Sequence, residues 1–560
     1  MIVSLDPARI RLSARSSSAG KRYAAAVLQA AGDIQNASLL ELEHEDGRDV
    51  ILPTSRKLID RVAALTIADC LTGGSSHRRR AIRELLNAAA FPSWNPAHFL
   101  DTAEMTMGMA LGLLWTRPLL SRAERDTLAA AIVEKGLSPG LAAAAAGAPW
   151  MTAENNWNIV CCAGMIAGAA ALDGIDKEIR DAALGCFVPA IHHGMRAFGA
   201  DGGYLEGPDY WEYALRYAVL AQAFLKDLVI GPEPPTGLLD TWRYGRDLTG
   251  PSGRVFNFGD ATEEPRRSPV LGWLAERTGD REIAAWQHAA PGDPHPFDLL
   301  WCAPDAETTI TDGSAAYEPA GIAVLRGGAT WLALKGGRND VNHAHLDLGT
   351  FVLELAGTRF VSELGRENYA LPGYFDRARR FGYFRTQTAA HNTLLVDGAE
   401  QSIDAHAKLL GTGQEGDSHF AAYEIFDGAR PFVWRRGAAL VHSDTVFIVD
   451  ELEADAGPVP STTWQVYTQV AVTLDGARAT LALEGVMVEA DIVEPTGFAW
   501  SFEPARSPVG ESSNAAFGRL FFDVPASARA QSIIVRFRLA GGTPSKAPKP
   551  AAIATWPLGA

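Results

Sequence analysis

Cysteine is scarce. Cys70, Cys161, Cys162, Cys186 and Cys302 are the only five, an odd number, and none forms a CxxC pair. That excludes a disulfide scaffold and a thiolate zinc ribbon, and leaves reduced, mostly buried thiols in a reducing compartment. Long apolar runs are missing too. No stretch approaches the roughly 18 uninterrupted apolar residues of a membrane-spanning helix. The opening MIVSLDPARIRLSARSSSAG has no continuous apolar core of the secretory kind, so a cytoplasmic protein without membrane partners is expected. Positive charge is in deficit: 50 Lys and Arg face 66 Asp and Glu, a formal net charge of −16. With no basic stripe, a nucleic-acid partner is excluded. An anionic sugar is not, because a local Arg/His/Asn pocket can sit in an acidic protein, though long-range steering would be poor. A GxSxG elbow is absent, and Gly245 to Gly253 lacks the spacing and the strand–helix context of a nucleotide-binding loop.

What is present is a soluble chain of 560 residues, 47% apolar and 21% charged, long enough for two or more cores. From about Ala24 to Trp286 apolar residues recur at three- and four-residue spacing, which predicts helices. Asp101 to Trp115 is one, with Asp101 as its N-cap; Asn158 to Leu172, rich in small residues, is another; Tyr210 to Asp227 is a third. Breaks fall at Phe91–Pro96, Ser138–Gly140 and Gly231–Gly237. The pattern changes near Ala290. Pro291–Pro296 reads as a linker, and after about Tyr317 short β-branched or alternating runs follow: Ile322–Arg326, Trp331–Lys335, Thr350–Leu355, Val446–Asp450 and Ser532–Arg538. Strands after a block of helices, rather than between them, imply two domains: all-helical over 1–300 and an antiparallel β-sandwich over 301–560. No strict repeat is present, and the tail Gly541–Pro550 reads as loose.

Four clusters could carry chemistry. Asn155, Asn156, Trp157 and Asn158 precede a helix; they read either as a cap with a buried indole or as a carboxamide for a sugar carboxylate beside a stacking platform. Asp201 to Tyr213 is dense in aromatic and polar groups, with Tyr204, Glu206, Tyr210, Trp211 and Tyr213. Tyr210, Tyr213 and Tyr217 have the spacing of a helix core face, but the surroundings favour a cleft wall. His343 and His345, with Asp347, alternate, so on a strand both rings would share a face, which suits metal binding or catalysis. From Val361 to Asp397 lie Glu363, Arg366, Tyr369, Tyr374, Arg385 and His391, a basic aromatic loop that fits an anionic ligand better than it fits pairing with surplus carboxylates.

In this order the clusters resemble the heparinase II/III-like polysaccharide lyases. The match covers most of the chain and is strongest in NNWN at Asn155, DGGYLEGPDYW at Asp201, and HAHLDLGTF with ELG and HNTLLVDG between His343 and Gly398. The resemblance implies an incomplete (α/α) toroid followed by an antiparallel β-sandwich, with the active site in the cleft between them and an anionic uronate oligo- or polysaccharide as substrate. It implies β-elimination: the C5 proton becomes removable once the neighbouring carboxylate is neutralised, and an acid protonates the departing O4. By position, Asn156 and His343 would take the carboxylate. Tyr210, with Tyr213 close behind, would move the proton, and Tyr374 would be an acid from the opposite wall. Asn155, Trp157, Tyr204, Glu206, Trp211, Arg366 and Arg385 would bind substrate. His345, Glu363 and His391 would hold a structural divalent metal, zinc by the donor set, although Glu363 stands where relatives more often have Asp. Trp157 and Glu206 stand where many relatives have histidine, and a glutamate there repels an anion unless it is paired. No organic cofactor is implied, and whether the chain forms a homo-oligomer is left open.

Two other functions stay in view. A glycoside hydrolase needs two carboxylates across a cleft, and Glu206 with Asp209, or Asp201 with Asp260, are available. A non-catalytic glycan-binding protein would use the β-sandwich as a lectin-like module.

Overall fold

The computed structural model describes residues 2, 5–45, 47–231, 233–265, 267–302, 304–306, 312–428, 432–454, 456–526, 529–541 and 549–559. The chain divides into two compact units that do not follow a single cut. The first is Met1–Phe198, Trp211–Trp242 and Arg267–Thr309; the second is Gly199–Tyr210, Arg243–Arg266 and Ile310–Ala560. The expected division at 300/301 is therefore about nine residues early, and it misses two earlier segments that fold with the C-terminal unit.

The first unit is helical. Its long helices include Leu52–Thr72, Phe99–Thr116, Asn156–Ala171 and Lys177–Met195, and Pro208–Leu228 from Trp211 onward. Every residue of Phe99–Thr116 is buried, so this is a central helix rather than an amphipathic surface one. Small residues let its neighbour approach: a Cβ on Gly164 would lie 2.3 Å from the carbonyl oxygen of Ala103. Asp101 is not the cap. His98 holds that position, while Asp101 is buried in the first turn and accepts the Ile51 N–H (2.9 Å) and the Asn95 amide (2.8 Å). The stretch Arg122–Ala145 runs as one helix long and apolar enough to cross a membrane by length and composition; it packs on neighbouring helices of this unit. The segment read as a linker, Pro291–Pro296, belongs to this unit and leads into a short 3-10 turn, Pro296–Leu299, closed by a capping box from His295 and Asp298.

The second unit is built of antiparallel sheets of five, nine and four strands. All five runs read as strands are strands, with Thr445–Ala454 central in the nine-stranded sheet between Phe432–Val441 and Ala530–Leu539. One apolar core draws on all three sheets, with Leu332 and Leu353, Leu440 and Val535, and Trp464 and Phe522 fully or almost fully buried. Inside it Arg436 is paired to Asp450 (2.7 Å), which also accepts both indole N–H groups of Trp434 and Trp464. Arg436 donates further to the carbonyls of Gly349 and Asn392. A buried charge thus pins the loop carrying HAHLD to the loop carrying His391. The five cysteines are free thiols, four of them buried and Cys186 half-buried. Of the tail read as loose, residues 542–548 lie outside the described residues.

Candidate functional site

The HxH motif is not on a strand. Residues 339–350 are turns and bends between the short strand Gly337–Arg338 and the strand Phe351–Leu355. His343 has φ +62°, in the left-handed region that unbranched polar residues tolerate best. Its carbonyl accepts the backbone N–H of Asp260 at 3.0 Å. Gly259 makes that approach feasible: its φ is +59°, and a Cβ there would lie 2.7 Å from the His343 oxygen.

Both imidazoles still converge, not through strand alternation but on one carboxylate. Asp260 Oδ2 meets His343 Nδ1 at 2.9 Å and Oδ1 meets His345 Nε2 at 3.0 Å. Arg380 lies 2.7 Å from Oδ1, and the Tyr374 phenol donates to the same oxygen. Burial alone would raise the Asp260 pKa, but the Arg380 charge and the two histidine hydrogen bonds hold it well below the usual carboxylate range. Asp260 entered the sequence reading only as a hydrolase carboxylate. Its one local signal is the Gly-Asp pair at residues 259–260, and its partners lie more than 80 residues away.

Tyr210 lies flat on His343, with ring centroids 3.6 Å apart and planes 12° from parallel. Its hydroxyl is 2.6 Å from that of Tyr369. Burial, reinforced by the charge of Asp260, raises both phenols, so both are neutral at pH 7. Tyr369 belonged to the basic aromatic loop but was not singled out. Glu206 is buried and paired: it accepts from the Tyr204 hydroxyl at 2.8 Å and from the Asn342 amide at 2.7 Å. Both partners are neutral donors that it holds in place. Tyr374 is 1% exposed and its proton goes to Asp260, so the acid role expected of it does not suit its position.

The remaining expected residues are placed as follows. In the helical unit, Asn155 caps the helix Asn156–Ala171 by accepting the Trp157 N–H. Asn156 is its first helical residue and is buried, at the end where a helix favours negative charge. Trp157 is half-buried and edge-on to His98. Tyr213 donates to Glu104, a fully buried carboxylate pushed up by burial against the opposing charge of Arg56. Trp211 is a core residue bonded to Thr241. In the sheet unit, Tyr204 is fully buried. Arg366 lies over the Tyr369 ring, and Arg385 is spent on Asn514 and the carbonyls of Arg366 and Ser513. The hydrolase carboxylates fare no better: Glu206 and Asp260 are engaged as described, and Asp201 accepts the N–H groups of Gly203 and Glu318.

The metal trio lies together but does not form a ligand sphere. His391 Nδ1 faces Glu363, whose other oxygen meets the Thr350 hydroxyl and the Asn392 amide, while His345 turns its Nε2 to Asp260. His345 Nδ1 and His391 Nε2 are buried without a hydrogen-bond partner, and the rings are 5.2 Å apart. Among the described residues no three His, Cys, Asp or Glu side chains are arranged as a metal site. Glu363 faces Nδ1 of His391, so the two open nitrogens are those left for a metal, with Glu363 bonded at the neighbouring ring nitrogen.

Residues 309–547 match the model of the heparinase II/III-like C-terminal family. Among solved structures the chain resembles heparinase III (15% identity, TM-score 0.65, over 90% of this chain and 80% of that one). It also resembles the heparan sulfate lyase HepC of Pedobacter heparinus (13%, 0.59, 92% and 88%) and the chondroitin AC lyase of Streptomyces coelicolor A3 (11%, 0.56, 96% and 82%). No curated protein sequence matches the chain.

Proposed function

We propose that the protein is a polysaccharide lyase that cleaves a uronate-containing glycan, of the glycosaminoglycan type, by β-elimination. The helical unit is read as an incomplete (α/α) toroid and the sheet unit as a β-sandwich, as the resemblance to heparinase III implies. One observation carries the reading: Tyr210 stacked on His343 and hydrogen-bonded to Tyr369, above Asp260.

Elimination breaks the C5–H and C4–O4 bonds and makes a C4=C5 double bond. Charge builds on the uronate carboxylate as the proton leaves, so a group that neutralises it lowers the barrier. Asn156 is assigned that task. Tyr210 starts as a neutral phenol, so it can protonate the departing O4 directly. The oxygen that gives its proton to O4 takes up the C5 proton in the same step, so Tyr210 ends as neutral as it began, with the Tyr369 hydroxyl hydrogen-bonded to it at 2.6 Å. Alginate is carried as the other uronate class.

The test is incubation with heparan sulfate, chondroitin, hyaluronan and alginate fragments, followed by ultraviolet absorbance of the unsaturated ends. Saturated ends that carry solvent oxygen would mark a hydrolase and overturn the reading; inertness on all four would favour a binding protein. Tyr210→Phe should lower kcat by about 10²-fold or more.

A further inference from the structure

We propose that Asp260 is the positioning residue of this site: it fixes the tautomer and the backbone of His343, so that Nδ1–H points inward and Nε2 is the nitrogen presented outward. The inference rests on the lyase reading for its catalytic consequence but not for its structural content.

Three side-chain donors and one guanidinium charge surround one carboxylate. Oδ2 is met by His343 Nδ1, and Oδ1 by His345 Nε2, Arg380 and the Tyr374 hydroxyl. A carboxylate accepts only, so each imidazole must donate the hydrogen at the nitrogen that faces it. For His343 this places a hydrogen on Nδ1 and leaves Nε2 as the ring nitrogen that does not face the carboxylate. The grip is doubled at the backbone, where Asp260 N–H donates to the His343 carbonyl while that residue holds φ +62°. Side chain and main chain therefore constrain the same ring on which Tyr210 lies. Tyr374 and Arg380, both buried, complete the shell: the guanidinium lies 4.5 Å from the Tyr374 ring centroid, and its Nε donates to the Ala344 carbonyl next to His343. Of the groups that Asp260 holds, His343 alone is gripped at both ring and backbone.

The prediction is tested on the full chain in two arms. In the first, selective ¹⁵N-histidine labelling of the wild type, with the His343 signal assigned by its loss in His343→Asn, should show a protonated Nδ1 and an unprotonated Nε2. A protonated Nε2 with a bare Nδ1 would overturn the proposal, and this arm needs no turnover. In the second, Asp260→Asn places an amide donor or a neutral acceptor against Nδ1. On the best uronate substrate kcat should fall by about 10²-fold or more while KM stays within about threefold, since the loss is of orientation and not of binding. A kcat within about threefold of wild type would overturn it. If the wild type makes no unsaturated ends from any uronate, the lyase reading fails while the ¹⁵N arm still decides the role of Asp260.

Discussion

Two tyrosines three positions apart on one helix meet different fates. Tyr210 stacks on His343, whereas Tyr213 turns to Glu104, which is fully buried with its pKa raised by burial against the pull of Arg56. Removing the Tyr213 hydroxyl leaves a buried carboxylate one donor short. Tyr213→Phe should therefore destabilise the protein by about 1–3 kcal/mol, read as a lower urea midpoint, with kcat changed far less than by Tyr210→Phe. Equal losses of kcat from the two variants would show that the contacts do not separate their roles. A second residue-scale prediction concerns Phe375, which is 51% exposed yet edge-on to His343 (6.3 Å), Tyr369 (5.0 Å) and Tyr374 (5.4 Å). An exposed aromatic face beside the residues of the proposed site suits the C–H face of a sugar. Phe375→Ala should raise KM roughly three- to tenfold with kcat little changed, the scale of one aromatic contact.

Among the elements, charge is used differently in the sheets. Asp491, on the strand Val486–Glu494, lies between Arg478 (2.7 Å) and Arg536 (2.7 Å) on the two flanking strands. Burial raises its pKa, but the hydrogen bonds from Arg478 and Arg536 outweigh it and leave the carboxyl lowered. A lowered folded pKa favours the native state wherever the unfolded carboxyl would be ionised. This stability is complete above about pH 5 and is lost as pH falls through the folded value. Discounted for solvent screening, Asp491→Asn should cost about 1 kcal/mol at pH 7 and progressively less towards pH 3 in parallel urea titrations. A gap that widened on acidification would reverse the sign argued here. The strands themselves were legible because β-branched alternation is local: Trp331–Lys335 and Val446–Asp450 needed nothing from afar. The HAHLD segment was not. Its alternation imitates a strand, but Gly259, 84 residues upstream, lets a backbone N–H dock on His343 and holds it in a left-handed turn. Of the cluster around Asp260, Tyr210 and His343 stand in motifs that can be picked out locally, whereas Asp260 and Tyr369 are brought into it only by partners remote in sequence.

At the scale of the molecule, composition located the change from helices to sheets but could not show that the sheet unit recruits earlier chain. Residues 199–210 and 243–266 fold with Ile310–Ala560, and their contacts are not peripheral. The fully buried Trp331 indole donates to the Asp247 carbonyl, and the Tyr317 hydroxyl donates to the Asp247 carboxylate. The buried Glu354 is satisfied by Ser252 as well as by Arg359. Asp260 supplies the counter-charge to Arg380 and the acceptor for two histidines and Tyr374. A fragment beginning at residue 310 would leave each of these groups short of a partner, at about 1–3 kcal/mol for every buried polar group so stranded. That total is comparable with the whole stability of an ordinary domain. Expressed alone, residues 310–560 should be insoluble or should unfold without a cooperative transition. A soluble fragment with the urea midpoint of the intact chain would mean that the two earlier segments are dispensable to the sheet unit, and that its boundary lies where composition alone would place it.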